Sequence, residues 1–355
     1  MNKHCKALIA TLCLLLTAGA GFTGCSGGDA SSKKQEPDSV VSQSTDDEAL
    51  QAAKEGGIGA LGIKPESLGI EPEVTTDAKH MAGYQLELPE KGDPVAVVKT
   101  NMGNFRIRLF PDAAPKAVES FTKQAKAGKY NNTIFHKVIP GFAAQGGHIG
   151  NDEKQPNGES AYGKPFKDEF NDKLFNLRGA VAMANTAADA NGSQFLINQM
   201  SADEFRKNGS WSYYDNMWKD SLAQLKQYKD NPQLLSAYIE ENGDRMIDTD
   251  RIPKEVKMLY MQHGGNPNLD GAFNAADRGN TVFGQVFDGM ETVDKITAVK
   301  TDENGLPKQS VIIKSIAVTT YTPAAAQTTA KPANAQATAK PAETKAANKP
   351  ADTQE

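Results

Sequence analysis

The sequence predicts a mainly β protein: a closed barrel capped by helices and carrying a helix-rich insertion. Three observations lead there. Short runs of β-branched and aromatic residues, bounded by glycine-rich turns, recur between Val95 and Val318; only two stretches among them have clean helical spacing; and one long polar segment, about 201–263, interrupts the series with a helical pattern of its own. Many short strands with few helices favour a sheet closed on itself, which leaves no exposed edge.

The elements follow in order. Val95–Val98 and Phe105–Leu109 read as strands, and Asn101-Met102-Gly103-Asn104 between them is a hairpin signal that puts Arg106 and Arg108 on one face. After Pro111 to Pro115, the spacing of Val118, Phe121 and Ala125 predicts a helix that Gly128 ends. Thr133–Ile139, Ala180–Met183, Gln194–Ile197, Thr281–Val286 and Val311–Val318 complete the strand set, and Met290 to Ile296 is the second helix. Within the interruption, Leu222, Leu225 and Tyr228, then Leu234, Leu235 and Tyr238, recur at helical spacings. A loop that long between two strands reads as an accessory lid or subdomain, or as a family-specific elaboration.

The flanks are of another kind. Lys3 and Lys6 precede an apolar run from Ala7 to Ala20, too short to span a bilayer comfortably, and Phe22-Thr23-Gly24-Cys25 resembles a bacterial lipoprotein cleavage box with Phe22 where leucine is usual. Residues 1–24 are therefore expected to be a signal peptide and Cys25 the lipid anchor on the membrane's extracytoplasmic face; two acyl chains or more would make that anchor stable. An uncleaved membrane helix, or cleavage after Ala18-Gly19-Ala20, would still direct export. Cys5 and Cys13 fall inside the signal, which leaves no cysteine pair for an internal disulfide. Residues 25–92 read as a polar tether interrupted by Pro37, Pro65 and Pro72, 93–320 as the folded domain, and 321–355 as a disordered Ala, Thr, Pro and Lys tail.

Composition narrows the function. The 355 residues are 39% apolar and 23% charged, ordinary for a soluble domain, and the net charge of −5 is spread without a basic stripe, so no nucleic-acid partner is expected. His80, His136, His148 and His263 lack ligand spacing and no glycine-rich phosphate loop opens a helix, so neither a metal nor a cofactor is expected. His148 by itself reads as a solvated loop residue.

Three blocks carry a family resemblance. Phe135-His136-Lys137-Val138-Ile139-Pro140-Gly141-Phe142-Ala143-Ala144-Gln145-Gly146-Gly147 is similar to the cyclophilin signature F-H-R-x-I-P-G-F-x-x-Q-G-G. Met183-Ala184-Asn185 with Asn191-Gly192-Ser193-Gln194-Phe195, and Val282-Phe283-Gly284-Gln285-Val286 with Gly289-Met290, resemble two further cyclophilin segments in the same order. The resemblance implies an eight-stranded antiparallel barrel with two capping helices and the activity of a peptidyl-prolyl cis-trans isomerase acting on proline-containing polypeptides, here unfolded exported proteins. Taken alone, Phe142 would read as barrel core and Asn191-Gly192-Ser193 as a turn. The register of all three blocks instead places Phe142, Ala143 and Leu196 in a proline slot, Gln145 and Gln194 beside it as polar groups, Ala184 and Asn185 along the substrate backbone, and Asn280 on the pocket wall.

The departures bear on catalysis. Lys137 stands where active members usually carry arginine, so Lys137 and Gln145 are the expected catalytic pair with weakened turnover, because lysine lacks the rigid donor fork. Ala143, Leu196 and Asn280 replace methionine, phenylalanine and histidine, and Asn268 precedes Leu269-Asp270-Gly271 where tryptophan is frequent; together they imply a shallower pocket resistant to cyclosporin-type ligands. Arg278 is a candidate substitute donor. Two alternatives to an isomerase are a binding module for proline peptides or unfolded chains with little turnover, and a wall-associated spacer.

Overall fold

The computed structural model describes residues 73–150 and 156–323. Among the described residues there are ten strands: β1 Val74–Thr75, β2 Pro94–Thr100, β3 Asn104–Leu109, β4 Ile134–Ile139, β5 Ala143–Gly146, β6 Phe170–Asn171, β7 Ala180–Met183, β8 Phe195–Asn198, β9 Val282–Asp288 and β10 Val311–Thr320. Eight of them close into an antiparallel barrel in the order β10-β2-β3-β9-β7-β8-β5-β4, and β4 pairs back onto β10. The expected fold class is the observed one.

Alternation along each strand fills the barrel. Phe105, Ile107, Phe135, Val138, Val181, Phe195, Ile197, Phe283 and Ile313 share one buried core. Helix α1, Pro115–Lys126, adds Val118, Phe121 and Ala125 to it. Pro115 suits the first helical turn, where its missing N–H costs nothing, and the Glu169 carboxylate accepts the free N–H groups of Lys116 and Ala117 at 3.0 Å. Helix α6, Met290–Thr297, contributes Val293 and Ile296. It begins after Gly289, whose φ of 83° is the left-handed region that glycine enters without strain.

The insertion lies between β8 and β9, as expected, and comprises α2 Ala202–Lys207, α3 Ser210–Tyr228, α4 Pro232–Asn242 and α5 Lys254–His263. Ser201 and Glu204 form a reciprocal capping box that starts it. Its inner surface packs on the segments that lead into β7 and β9: Phe205, Tyr214, Val256 and Tyr260 bury against Phe175, Leu177 and Phe273. Trp218, Leu225, Leu235 and Ile239 form an outer cluster with Ala275 and Ala276.

Two readings change. Residues 73–92, expected to end a tether, are part of the folded unit: β1 pairs in parallel with β6, and Gln85, fully buried, donates to Phe175 O at 2.9 Å and accepts from Phe175 N at 2.7 Å. Strand β5 was absent from the expected set because Ala-Ala-Gln-Gly has no β-branched residue; it is held instead by pairing with β4 and β8 on both sides. The expected signal peptide, the expected anchor Cys25 and residues 324–355 of the expected tail lie outside the described residues.

Candidate functional site

Strand register builds the site. Lys137 of β4 pairs with Gln145 of β5, Gln145 with Leu196 of β8, Leu196 with Ala182 of β7, and Ala182 with Val282 of β9. Directly paired residues share a face, so these five side chains form one row across the sheet. Their chain neighbours Val138, Ala144, Ile197, Val181 and Phe283 belong to the barrel core, which places the row on the outer surface. The row runs from a cation through an amide to an apolar floor.

That floor is continuous. Ala143, Ala182, Ala184, Leu196 and Val282 are buried in one cluster, with half-buried Phe142 and Leu269 packed against it. Phe142 sits at the β4–β5 turn. Gly141 there has φ 72°, and its N–H donates to Gln199 Oε1 at 2.8 Å. Phe142 O accepts from Gln199 N at 2.7 Å and from Asn266 Nδ2 at 3.1 Å, so the turn is fastened to the end of β8 and to the segment that follows the insertion.

The polar flank is equally determined. Gln145 Nε2 donates to Gln194 Oε1 at 2.8 Å, and Gln194 Nε2 donates to Pro156 O at 2.7 Å and lies 2.7 Å from His148 Nδ1. His148 is therefore half-buried against Gln194, not a solvated loop residue. The His136 ring stands perpendicular to that of His148, with centroids 6.4 Å apart; burial first, then the neighbouring His148, holds the His136 imidazole below its ordinary pKa.

On the far wall, Asn185 Nδ2 donates to Asp168 Oδ1 and to Gly279 O, each at 3.0 Å. Asp168 also accepts from Asn191 Nδ2 at 2.8 Å and from Asp189 N at 2.8 Å, and burial pushes its carboxyl up to about 6. Sequence reasoning missed Asp168, because Lys167-Asp168-Glu169 looks like a solvated loop. Asn280 donates to Met183 O at 2.8 Å, tying its loop to β7 beside Ala184. Arg278 does not join the row: its Cγ lies where a Cβ on Gly243 of the insertion would be 2.9 Å away. Lys137, Gln145, Phe142, Ala143, Ala184, Leu196 and Gln194 are thus brought together, with Asn185 and Asn280 beside them. Among the described residues no group of three or more His, Cys, Asp and Glu is placed to hold a metal ion.

Comparison with known proteins shows which family the chain resembles. The family model described as cyclophilin type peptidyl-prolyl cis-trans isomerase matches residues 95–213 and 256–318, leaving out most of the two longest insertion helices. A putative peptidyl-prolyl cis-trans isomerase of Staphylococcus aureus is 34% identical over 229 residues, covering 64% of this chain and 93% of the relative. A putative bifunctional phosphatase/peptidyl-prolyl cis-trans isomerase of Streptococcus pyogenes is 35% identical over 246 residues, 68% of this chain, and the chain spans only 42% of that relative's length. A cyclophilin type peptidyl-prolyl cis-trans isomerase of Cryptosporidium parvum, crystallised in the presence of the dipeptide Ala-Pro, superposes with a TM-score of 0.40 at 24% identity over 64% of this chain and 99% of its own.

Proposed function

This chain belongs to the cyclophilin type peptidyl-prolyl cis-trans isomerases, and we propose that it turns Xaa-Pro bonds of exported polypeptides on the outer-face row, with Lys137 as a weakened catalytic donor. The observation that carries this reading is the register Lys137–Gln145–Leu196–Ala182–Val282.

Twisting a prolyl bond breaks amide resonance, a barrier of about 18–20 kcal/mol, and needs no nucleophile. An apolar slot must hold the ring, and a donor must meet the prolyl nitrogen as its lone pair localises. Phe142, Ala143 and Leu196 supply the slot, with Ala184 and Asn280 bounding it. Asn185, fixed by Asp168, offers its main chain to the substrate backbone. Gln145 and Gln194 hold the carbonyl side. Lys137, opposite Gln145, is the cation next to the slot, but its ammonium is a flexible, hydrated point charge where a guanidinium would be a preorganised fork.

The role outside the membrane rests on the sequence features at residues 1–25: a signal peptide and acylation of Cys25 would keep the isomerase where exported chains fold and slow proline steps limit them. Loss of membrane fractionation in a Cys25→Ala chain is the expected outcome, and unchanged fractionation would remove the anchor.

Isomerisation of a short Xaa-Pro peptide by the full chain, with Lys137→Ala and Lys137→Arg beside it, tests the catalytic reading. One charge-assisted hydrogen bond in the twisted state is worth about 1.5–3 kcal/mol, so the alanine variant should fall about 10- to 100-fold and the arginine variant should exceed the wild type. If all three run at the uncatalysed rate, the isomerase assignment of this site fails and peptide binding without turnover takes its place.

A further inference from the structure

We propose that His148 is a positioning residue: its unprotonated Nδ1 fixes the amide of Gln194, and through it Gln145, in the orientation the row needs. The inference rests on the isomerase reading of Gln145 and extends the site by a residue that the motif does not contain.

A backbone carbonyl can only accept, so the Gln194 atom 2.7 Å from Pro156 O is Nε2. The same nitrogen lies 2.7 Å from His148 Nδ1, so that ring atom must accept, and the proton of the neutral imidazole sits on Nε2. Gln194 Oε1 can only accept in turn, so Gln145 gives it Nε2 at 2.8 Å. That bond leaves the carbonyl oxygen and the second amide hydrogen of Gln145 outside the chain, on a residue whose strand partner is Lys137. Each link has one allowed direction.

Protonating His148 breaks the first link. An Nδ1–H would face the Gln194 NH₂, donor against donor. Rotating the Gln194 amide to present its oxygen would set that oxygen against Pro156 O and turn Nε2 toward the nitrogen of Gln145. Neither arrangement keeps the row. Among the described residues the titratable group shown against the ring is His136, with ring centroids 6.4 Å apart; Tyr130 lies by the neighbouring Gly147, and the Glu159 N–H donates to Ile149 O at 2.8 Å. His136 has no partner at its buried Nδ1, but its ring also meets the Gln194 side chain, a hydrogen bond that opposes the downward pull of burial on its pKa.

The experiment compares the full-length wild type with His148→Leu and His148→Asn in peptide isomerisation between pH 5 and 8. Asparagine can place an amide oxygen close to the position of Nδ1 and cannot titrate. The expected results are a kcat about tenfold lower in His148→Leu than in the wild type at pH 8, with a smaller change in KM because the apolar floor is untouched; near wild-type kcat in His148→Asn at pH 8; and a fall in wild-type kcat toward the His148→Leu level on acidification that His148→Asn does not show. His136 is present in all three chains and so cancels. Wild-type kcat in His148→Leu, no rescue by asparagine, or the same acid limb in His148→Asn would each overturn the proposal. Imidazole nitrogen spectra of the full chain read the relay without turnover: a protonated Nδ1 at pH 8 would overturn it, whereas an accepting Nδ1 in a chain with no isomerase activity would leave the bond intact and remove only the catalytic reading.

Discussion

Replacing Asp270 tests how the insertion supports the slot. Its carboxylate is fully enclosed: Tyr260 of α5 donates to Oδ2, and Asn176 donates to Oδ1 from its main-chain N–H at 2.7 Å and from Nδ2 at 3.1 Å. The network continues. Asn198 Nδ2 donates to Asn176 Oδ1 at 3.0 Å, and Asn266 Nδ2 bridges Asn198 Oδ1 at 2.7 Å and Phe142 O at 3.1 Å. Burial pushes the Asp270 carboxyl up to about 7 from 3.8, against the pull of its donors. The native state therefore keeps a proton that the unfolded chain releases. The stabilisation is complete below pH 3.8, erodes as pH rises toward 7, and is gone above that; over the whole interval it amounts to about 4 kcal/mol.

Asp270→Asn imitates the protonated acid. Its oxygen can serve both Asn176 donors and its nitrogen can donate to the Tyr260 oxygen, so the variant should fold and should lose the pH slope. Between pH 5 and 7 the wild type should lose about 2 kcal/mol relative to Asp270→Asn. Asp270→Ala should instead orphan Asn176 N–H and the Tyr260 hydroxyl, at about 1–3 kcal/mol each, lowering Tm by roughly 4–20 °C. Denaturant unfolding of the full chains at pH 5, 6, 7 and 8 reads both effects. Parallel stability curves for wild type and Asp270→Asn would refute the protonated native carboxyl, and an Asp270→Ala cost under about 1 kcal/mol would refute the network.

Two more outcomes follow from buried partners. Asp168→Ala removes the acceptor that fixes Asn185 and Asn191, so peptide KM should rise several-fold while Lys137-dependent kcat changes less; an unchanged KM would separate Asp168 from the substrate wall. Gln85→Ala leaves Phe175 N–H and C=O without their side-chain partner, which should cost about 2–4 kcal/mol in denaturant unfolding, and a loss below about 0.5 kcal/mol would show that residues 73–92 only rest on the domain.

What the sequence made legible was local. Period-two runs mark β2, β3, β4 and β10, and the spacing of Val118, Phe121 and Ala125 marks α1, because each pattern is complete within a dozen residues. The blocks around Lys137, Gln194 and Val282 were readable for the same reason, and strand register then sets them in one row. Strand β5 escaped because its identity comes from neighbours paired on both edges, which outweigh the weak β propensity of Ala143-Ala144-Gln145-Gly146. Gln85 escaped because its partners are 90 and 200 residues away.

The same distance explains the missed site residues. Asp168 and His148 are unremarkable in their own segments and acquire a role only from the amides they meet, Asn185 in one case and Gln194 in the other. A motif specifies which groups touch the substrate, but an amide side chain is nearly symmetric in shape, and its direction is set by whatever accepts its hydrogens. In this chain those acceptors are a carboxylate, a backbone carbonyl and a histidine, all outside the motif residues they orient. On the proposed isomerase reading, Lys137 adds a flexible cation to the row, and orientation that an arginine fork would carry by itself would fall more heavily on Gln145 and its line of partners. Restoring arginine at 137 should therefore lessen the penalty of His148→Leu, and equal penalties in the Lys137 and Lys137→Arg backgrounds would show that the two act independently.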